Sequence, residues 1–385
     1  MIIQNFTDND LYKFTTMNAI QKLYPKAMVK YKFIDRNDTL FPEGFAEALR
    51  KEVDEMAELR LTVAEESFIR SRGYYLDPVF IDLLKGYRYN PWEVRIVQKG
   101  KKLDVEIEGL WYRTVLWEVP LLAIISELYY KMTGQQPSEV EERAKEKAKG
   151  FLDLKAEYSE FGTRRRFSFN VHDRVLKELK AHSGGFLKGS SNVFLAMKHQ
   201  LSPIGTHPHE WFMYHAVHFG YKQANAQSLK AWTNVYHGDL GIALTDTFTT
   251  QDFLESFSTQ YAKIFDGVRW DSGDPIDFTD KMIEFYKQKR IDPRSKTIVY
   301  SDALNIEKIK AIKKYVDGEI HDVYGIGTYI TNDVGVEPLN IVIKLTHAKS
   351  NPDDEYYPTV KLSDVLSKQT GTAEEIKLCR QVLRI

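Results

Sequence analysis

Between residues 240 and 328 the chain repeats one pattern: a short apolar run, a polar or glycine ending, then a helical stretch. The runs are Leu240–Asp246, Gly267–Asp271, Thr297–Asp302 and Val323–Thr328. Alternation of strand-length runs with helices implies βα units, because each crossover helix returns the chain to start a parallel strand. In barrels and open sheets of this kind ligands sit at the carboxyl ends of the strands. Acids, threonines and glycines in one common phase therefore predict an active-site ring rather than unrelated turns.

The flanking sequence has a different texture. Ala27–Phe33 is strand-like, Leu103–Gly109 alternates apolar and acidic residues at period two, and Phe45–Leu59 has helical spacing. The charged stretch Gln135–Lys149 reads as a helix with Ser138 as its N-cap and acids in its first turn. Near the end, Leu339–Leu345 and Tyr356–Leu362 are strand-like runs separated by a polar segment, as in a hairpin with a long loop. The expected organisation is α/β: an irregular (β/α) barrel over residues 136–335, and an α+β domain from residues 1–135 completed by about 336–385.

Composition narrows the function classes. With 385 residues, 43% hydrophobic and 13% aromatic, the chain can bury a sizeable core. A formal charge of −1, with both signs interspersed, provides no global field to recruit nucleic acid or an anionic membrane. Cys379 is the only cysteine, which excludes an intrachain disulfide and a multi-cysteine zinc site. The start has no signal-peptide pattern and no long apolar run follows, so a cytoplasmic protein is expected.

Individual motifs leave alternatives open. In Gly205–Trp211, His209 precedes an aromatic segment and is expected at a helix N-terminus, where it serves equally as a capping histidine or as a nucleophile towards phosphorus. A metal pair of His207 with His209 lacks an obvious third ligand. In Asp271–Pro275, Asp271 and Asp274 fit either a ribose hydroxyl or magnesium, or an ordinary turn. Gly325 and Gly327 suit a phosphate cradle, or simply relieve crowding at a barrel rim. Of Arg164, Arg165 and Arg166, at most one or two can face one ligand. Gly184–Asn192 reads most simply as a flexible linker, and Asp8–Phe14 as a capped helix start with Tyr12 in packing.

Taken together and in this order, Asp10–Lys13, Glu160–Arg164, Gly205–Trp211, Asp271–Pro275, Ser301–Asp302, Gly325–Thr328 and Pro338–Asn340 resemble the nicotinate phosphoribosyltransferase family, and more distantly the related nicotinamide enzymes. The resemblance implies transfer of phosphoribosyl from phosphoribosyl pyrophosphate to nicotinate, coupled to ATP hydrolysis with Mg2+ through a phosphohistidine. His209 matches that histidine, and His207 falls where the motif varies. Asp246 is the candidate for orienting His209, with Glu210 as a competitor.

Phe161 and Tyr12 match the aromatic faces on the pyridine ring, Tyr12 coming from the neighbouring subunit of a homodimer. Arg164 and Arg269 match the arginines near the ring substituent and phosphates. Gly325, Gly327 and Thr328 match the phosphate turn, Asp271 and Asp274 the carboxylates near ribose and metal, and Ser301 and Asp302 a further strand-end pair. Nicotinamide enzymes resemble Gly-Thr-Asp where this chain has Gly189-Ser190-Ser191. An acid there would repel a carboxylate, so Ser191 favours the acid substrate. The rivals are a nicotinamide or quinolinate phosphoribosyltransferase, or a barrel that only binds.

Overall fold

The computed structural model describes residues 1–385. Its strands are β1 (Met28–Asp35), β2 (Val94–Lys99), β3 (Lys102–Leu110), β4 (Tyr158–Glu160), β5 (Leu187–Ser190), β6 (Ser202–Pro203), β7 (His237–Leu240), β8 (Ile242–Leu244), β9 (Gly267–Trp270), β10 (Thr297–Tyr300), β11 (His321–Ile326), β12 (Ile341–Lys349) and β13 (Tyr357–Pro358). All but β7 form a seven-stranded sheet in the order β6-β5-β4-β11-β10-β9-β8 and a five-stranded sheet in the order β13-β12-β1-β3-β2.

Every pairing in the seven-stranded sheet is parallel. The order is cyclic in sequence, with β11 laid beside β4 and an opening between β6 and β8. That is an irregular (β/α) barrel, curled but not closed. All its strands point the same way, so their carboxyl ends share one rim. The chain steps off that rim at Phe161, Ser191, Ile204, Thr245, Asp271, Ser301 and Gly327.

The second sheet is antiparallel and joins the two ends of the chain: β1 pairs along its length with β12, from Met28 opposite Lys349 to Asp35 opposite Ile341, with a register shift at Lys30/Tyr31. β12 and β13 form the anticipated hairpin. Alternation along β12 buries Ile343 and Leu345 while leaving Lys344 half-buried. One continuous apolar core joins both sheets and carries the buried indoles of Trp111, Trp117, Trp211, Trp232 and Trp270.

Four local expectations need correction. The charged helix spans Val140–Asp153, preceded by Glu139 at φ 52, and Ser138 does not cap it. Ser138 instead donates from its backbone N–H and its hydroxyl to the Val334 carbonyl, a tertiary tether that displaces the helix start. Gly184–Asn192 is not a flexible linker. It contains β5, where Gly189 lies against the Ser202 carbonyl so closely that a Cβ would overlap it, and Asn192 caps the next helix. At the first helix, Leu11–Leu23, Asp10 occupies the cap position without capping; its carboxylate accepts from Ser191 Oγ at 2.8 Å. The predicted helix Phe45–Leu59 runs as Phe45–Glu55 and finishes in a 3-10 turn, Met56–Glu58.

Candidate active site

A cavity of about 690 Å³ opens at the shared rim. Tyr12, Phe161, Arg164, His209, Arg269, Asp271, Ser301, Asp302, Gly325, Gly327 and Thr328 all line it. Ser191, Asp246 and Asp274 do not. Asp274 is the N-cap of the helix Pro275–Gln288, accepting from the backbone N–H of Ile276 and Asp277, and its carboxylate is committed to that turn. Ser191 is buried and donates to Asp10. Asp10, like Ser191, is buried and does not line the cavity.

His209 is the first residue of the helix His209–Phe219, with Pro208 as its N-cap, and Gly220 at φ 80 ends the helix. Pro208 fixes the entry backbone, and the apolar and aromatic residues that follow bury nearly the whole first turn. The imidazole Nδ1 lies 3.0 Å from Thr247 Oγ1. Its Nε2 lies 3.0 Å from Asp271 Oδ2 and 2.8 Å from Lys361 Nζ.

One ring nitrogen cannot donate to a carboxylate and accept from an ammonium at once, so the imidazole has two settings. Either Nε2–H donates to Asp271 while the Thr247 hydroxyl donates to Nδ1, or Nε2 accepts from Lys361 while Nδ1–H donates to Thr247. Burial, helped by the Lys361 charge and opposed by Asp246 and Asp271, pushes the His209 pKa down to about 4. The ring is thus neutral near pH 7 and keeps a lone pair.

The carboxylate nearest His209 is Asp271. Asp246 Oδ1 stands at 3.7 Å, while its Oδ2 accepts from Ser272 at 2.6 Å and Ser363 at 3.0 Å. Glu210 turns away from His209 and meets Lys13, Tyr31 and Trp111. His207 packs edge-on against Trp232 at 4.3 Å and forms no metal pair with His209; His209 instead groups with Asp246 and Asp271, their ligand atoms within 4.8 Å of one another. Asp246 Oδ1 is buried without a partner.

The ring wall is made by close backbone approach. A Cβ on Gly325 would overlap the Phe161 ring, so crowding at the rim requires a glycine there. Gly205 lets the backbone of Tyr12 come close, since a Cβ there would sit 2.9 Å from the Tyr12 nitrogen. The chain's own Tyr12 lines its own cavity, with Glu118, Lys13 and Arg164 as its charged neighbours. It reaches that rim from the chain's own helix, Leu11–Leu23. Of the three arginines, Arg164 and Arg165 line the cavity, whereas Arg166 is fully buried in a bidentate pair with Asp8, both contacts 2.7 Å.

Sequence reasoning missed Lys344, Lys361, Lys368, Glu118 and Thr247. Lys344 and Lys361 interrupt apolar strand runs on one alternating face, a signal for an inward charge with a partner. Glu118 opens the helix Glu118–Thr133, whose next seven residues are all apolar. Lys368, which meets Asp302 at 2.5 Å and donates to the Asp271 carbonyl at 2.7 Å, gave no such signal. Cations at Arg36, Arg164, Arg165, Arg269, Lys361 and Lys368 outweigh the facing acids and suit a polyanionic ligand.

Residues 156–385 match the nicotinate phosphoribosyltransferase (NAPRTase) family, and residues 7–126 match the N-terminal domain of the same family. The chain is 50% identical over 388 residues to the nicotinate phosphoribosyltransferase of Chromohalobacter salexigens, covering 100% of this chain and 99% of that one. It is 48% identical over 385 residues to that of Desulforapulum autotrophicum, covering 99% of each. Its fold superposes on the crystal structure of the Porphyromonas gingivalis enzyme with TM-score 0.98 at 47% identity, over 100% of both chains. For the Vibrio cholerae enzyme the TM-score is 0.93 at 31% identity, over 100% of this chain and 95% of that one. End-to-end likeness in sequence and in fold agrees with the motif order along the rim, and the chain belongs to the nicotinate phosphoribosyltransferase family.

Proposed function

We propose that the protein transfers phosphoribosyl from phosphoribosyl pyrophosphate to the ring nitrogen of nicotinate, and that ATP drives the transfer through a phosphohistidine at His209. The observation that carries this reading is a half-buried imidazole at a helix N-terminus, set between Asp271 and Lys361 and opening into a cationic cavity with an aromatic and arginine wall.

An imidazole nitrogen of His209 attacks the γ-phosphorus of ATP, forming an N–P bond as the bond to the ADP oxygen breaks. The phosphoryl group then meets the positive end of the helix His209–Phe219 and the Lys361 ammonium. In the transfer step the pyridine nitrogen bonds to the ribose anomeric carbon and pyrophosphate departs. Water later cleaves the phosphohistidine and returns phosphate. Phe161 and Tyr12 supply ring faces, Arg164 faces the carboxylate, and Arg269, held by Thr206 at 2.5 Å, is aimed at phosphate. Asp271 and Asp246 offer the oxygen ligands that Mg2+ prefers, and the unpartnered Asp246 oxygen fits such a role. That ion would supply charge neutralisation to the departing pyrophosphate.

The test uses γ-labelled ATP and the product assay together. Wild type is expected to take up acid-labile label and to form more mononucleotide with ATP than without. His209→Ala is expected to take up none, to lose the ATP stimulation and to retain slow transfer. ATP stimulation persisting in His209→Ala would remove the phosphohistidine from the scheme.

A further inference from the structure

Behind the ring wall one ammonium is shut between two carboxylates. Lys13 has no exposed side-chain surface; its Nζ lies 2.5 Å from Glu118 Oε2 and also bonds Glu210 Oε1. Glu118 turns its other oxygen to Arg164 Nη1 at 3.4 Å. Glu210 Oε2 accepts from Tyr31 at 2.5 Å and from Trp111 at 3.3 Å. The set Arg164, Glu118, Lys13, Glu210 has two charges of each sign and is neutral overall. It runs from the arginine of the ring wall to the residue after His209.

The distances are unequal. Glu118 leans on Lys13 and only loosely on Arg164, although a carboxylate and a guanidinium can make a close bidentate pair. A carboxylate bound tightly to Arg164 would satisfy the guanidinium internally and compete with a carboxylate on the ligand. Resting on the nicotinate reading above, we infer that Lys13 is a positioning residue that holds Glu118 away from Arg164 and so keeps the guanidinium charge available for the acid group of the pyridine. Lys13 touches no substrate and acts through Glu118. Because a carboxamide carries no charge, Lys13 favours acid over amide without touching either.

The test compares nicotinate KM, kcat and the inhibition constant of nicotinamide in wild type, Lys13→Met, Glu118→Gln and the double variant, with thermal melting as the check on folding. Lys13→Met frees Glu118 to close on Arg164. Its nicotinate KM is expected to rise about tenfold, with kcat changing less and nicotinamide binding shifting less than about twofold. Glu118→Gln removes a competitor that Lys13 already holds off, so its nicotinate KM is expected to stay at the wild-type value or fall. The double variant is expected to return to the wild-type value or below, a rescue that a purely structural role for Lys13 does not give.

Equal changes for acid and amide, or no rescue, overturn the inference. Should Lys13→Met fail to fold, a nicotinate KM that rises in Glu118→Gln, as it would if Glu118 were no competitor for Arg164, overturns it alone. Wild-type protein with no transfer to nicotinate sinks the functional reading and the inference together, whereas active wild type with a flat series sinks only the inference.

Discussion

At the scale of single residues, His209 has a depressed pKa, and the sign of that shift has a kinetic consequence. A histidine at its ordinary value near 6.5 loses its nucleophilic form as pH falls through that value. With the pKa pushed down to about 4, chiefly by burial and next by Lys361, the neutral ring persists from pH 7 down to pH 5 and is lost only below. The initial rate of label uptake from ATP should therefore be flat between about pH 5 and 8. Lys361→Met removes a cation 2.8 Å from Nε2 and leaves the pull of Asp246 and Asp271, so the acid limb should move upward towards neutrality. Rapid-quench labelling across that range checks both, and a wild-type limb near 6.5 would contradict the neutral-ring account. The same residue shows the limit of motif reading. The run Gly205–Trp211 marks His209, but its partners Thr247, Asp271 and Lys361 come from separate strand ends, and no spacing links them.

At the scale of elements, parallel strands were legible because apolar runs and polar endings recur in one phase, and β8 to β11 lie where that phase puts them. What the sequence could not convey was close approach. Gly325 has the composition of a phosphate loop, yet its neighbour is the Phe161 ring, and only the β4–β11 pairing brings them together. Gly325→Ala should therefore destabilise the fold by about 1–3 kcal/mol through overpacking. It should also raise KM for nicotinate, because the ring must shift from the wall. Denaturant unfolding and a nicotinate titration measure the two effects; an unaltered KM would mean that Phe161 is not a face for the ligand. Ser138 failed as a predicted cap, and Asp10 holds the cap position of the start Asp8–Phe14 without capping, for a related reason. Their side chains were taken by Val334 and Ser191, which are distant in sequence. Local propensity loses wherever a tertiary partner outbids it.

At the scale of the whole molecule, the cavity joins two sheets that share no strand. Arg164, Arg269 and Asp271 arrive from the barrel rim, whereas Lys344 lies on β12 and Lys361 follows β13, so both lysines come with the sheet that holds the two chain ends together. A polyanion in that cavity binds both parts at once, and a ligand that binds only the folded state stabilises it by mass action. Phosphoribosyl pyrophosphate at a hundredfold excess over its Kd should add about 2.7 kcal/mol to stability. The unfolding transition should move as one, since loss of either sheet destroys the site. The net charge of the chain is only −1, so the attraction is local to the cavity, and donor affinity should fall as NaCl rises while inhibition by neutral nicotinamide changes little. Calorimetric scans with and without donor decide the first point. Two transitions, only one of them shifted by donor, would show that the lysines of the terminal sheet do not share in binding.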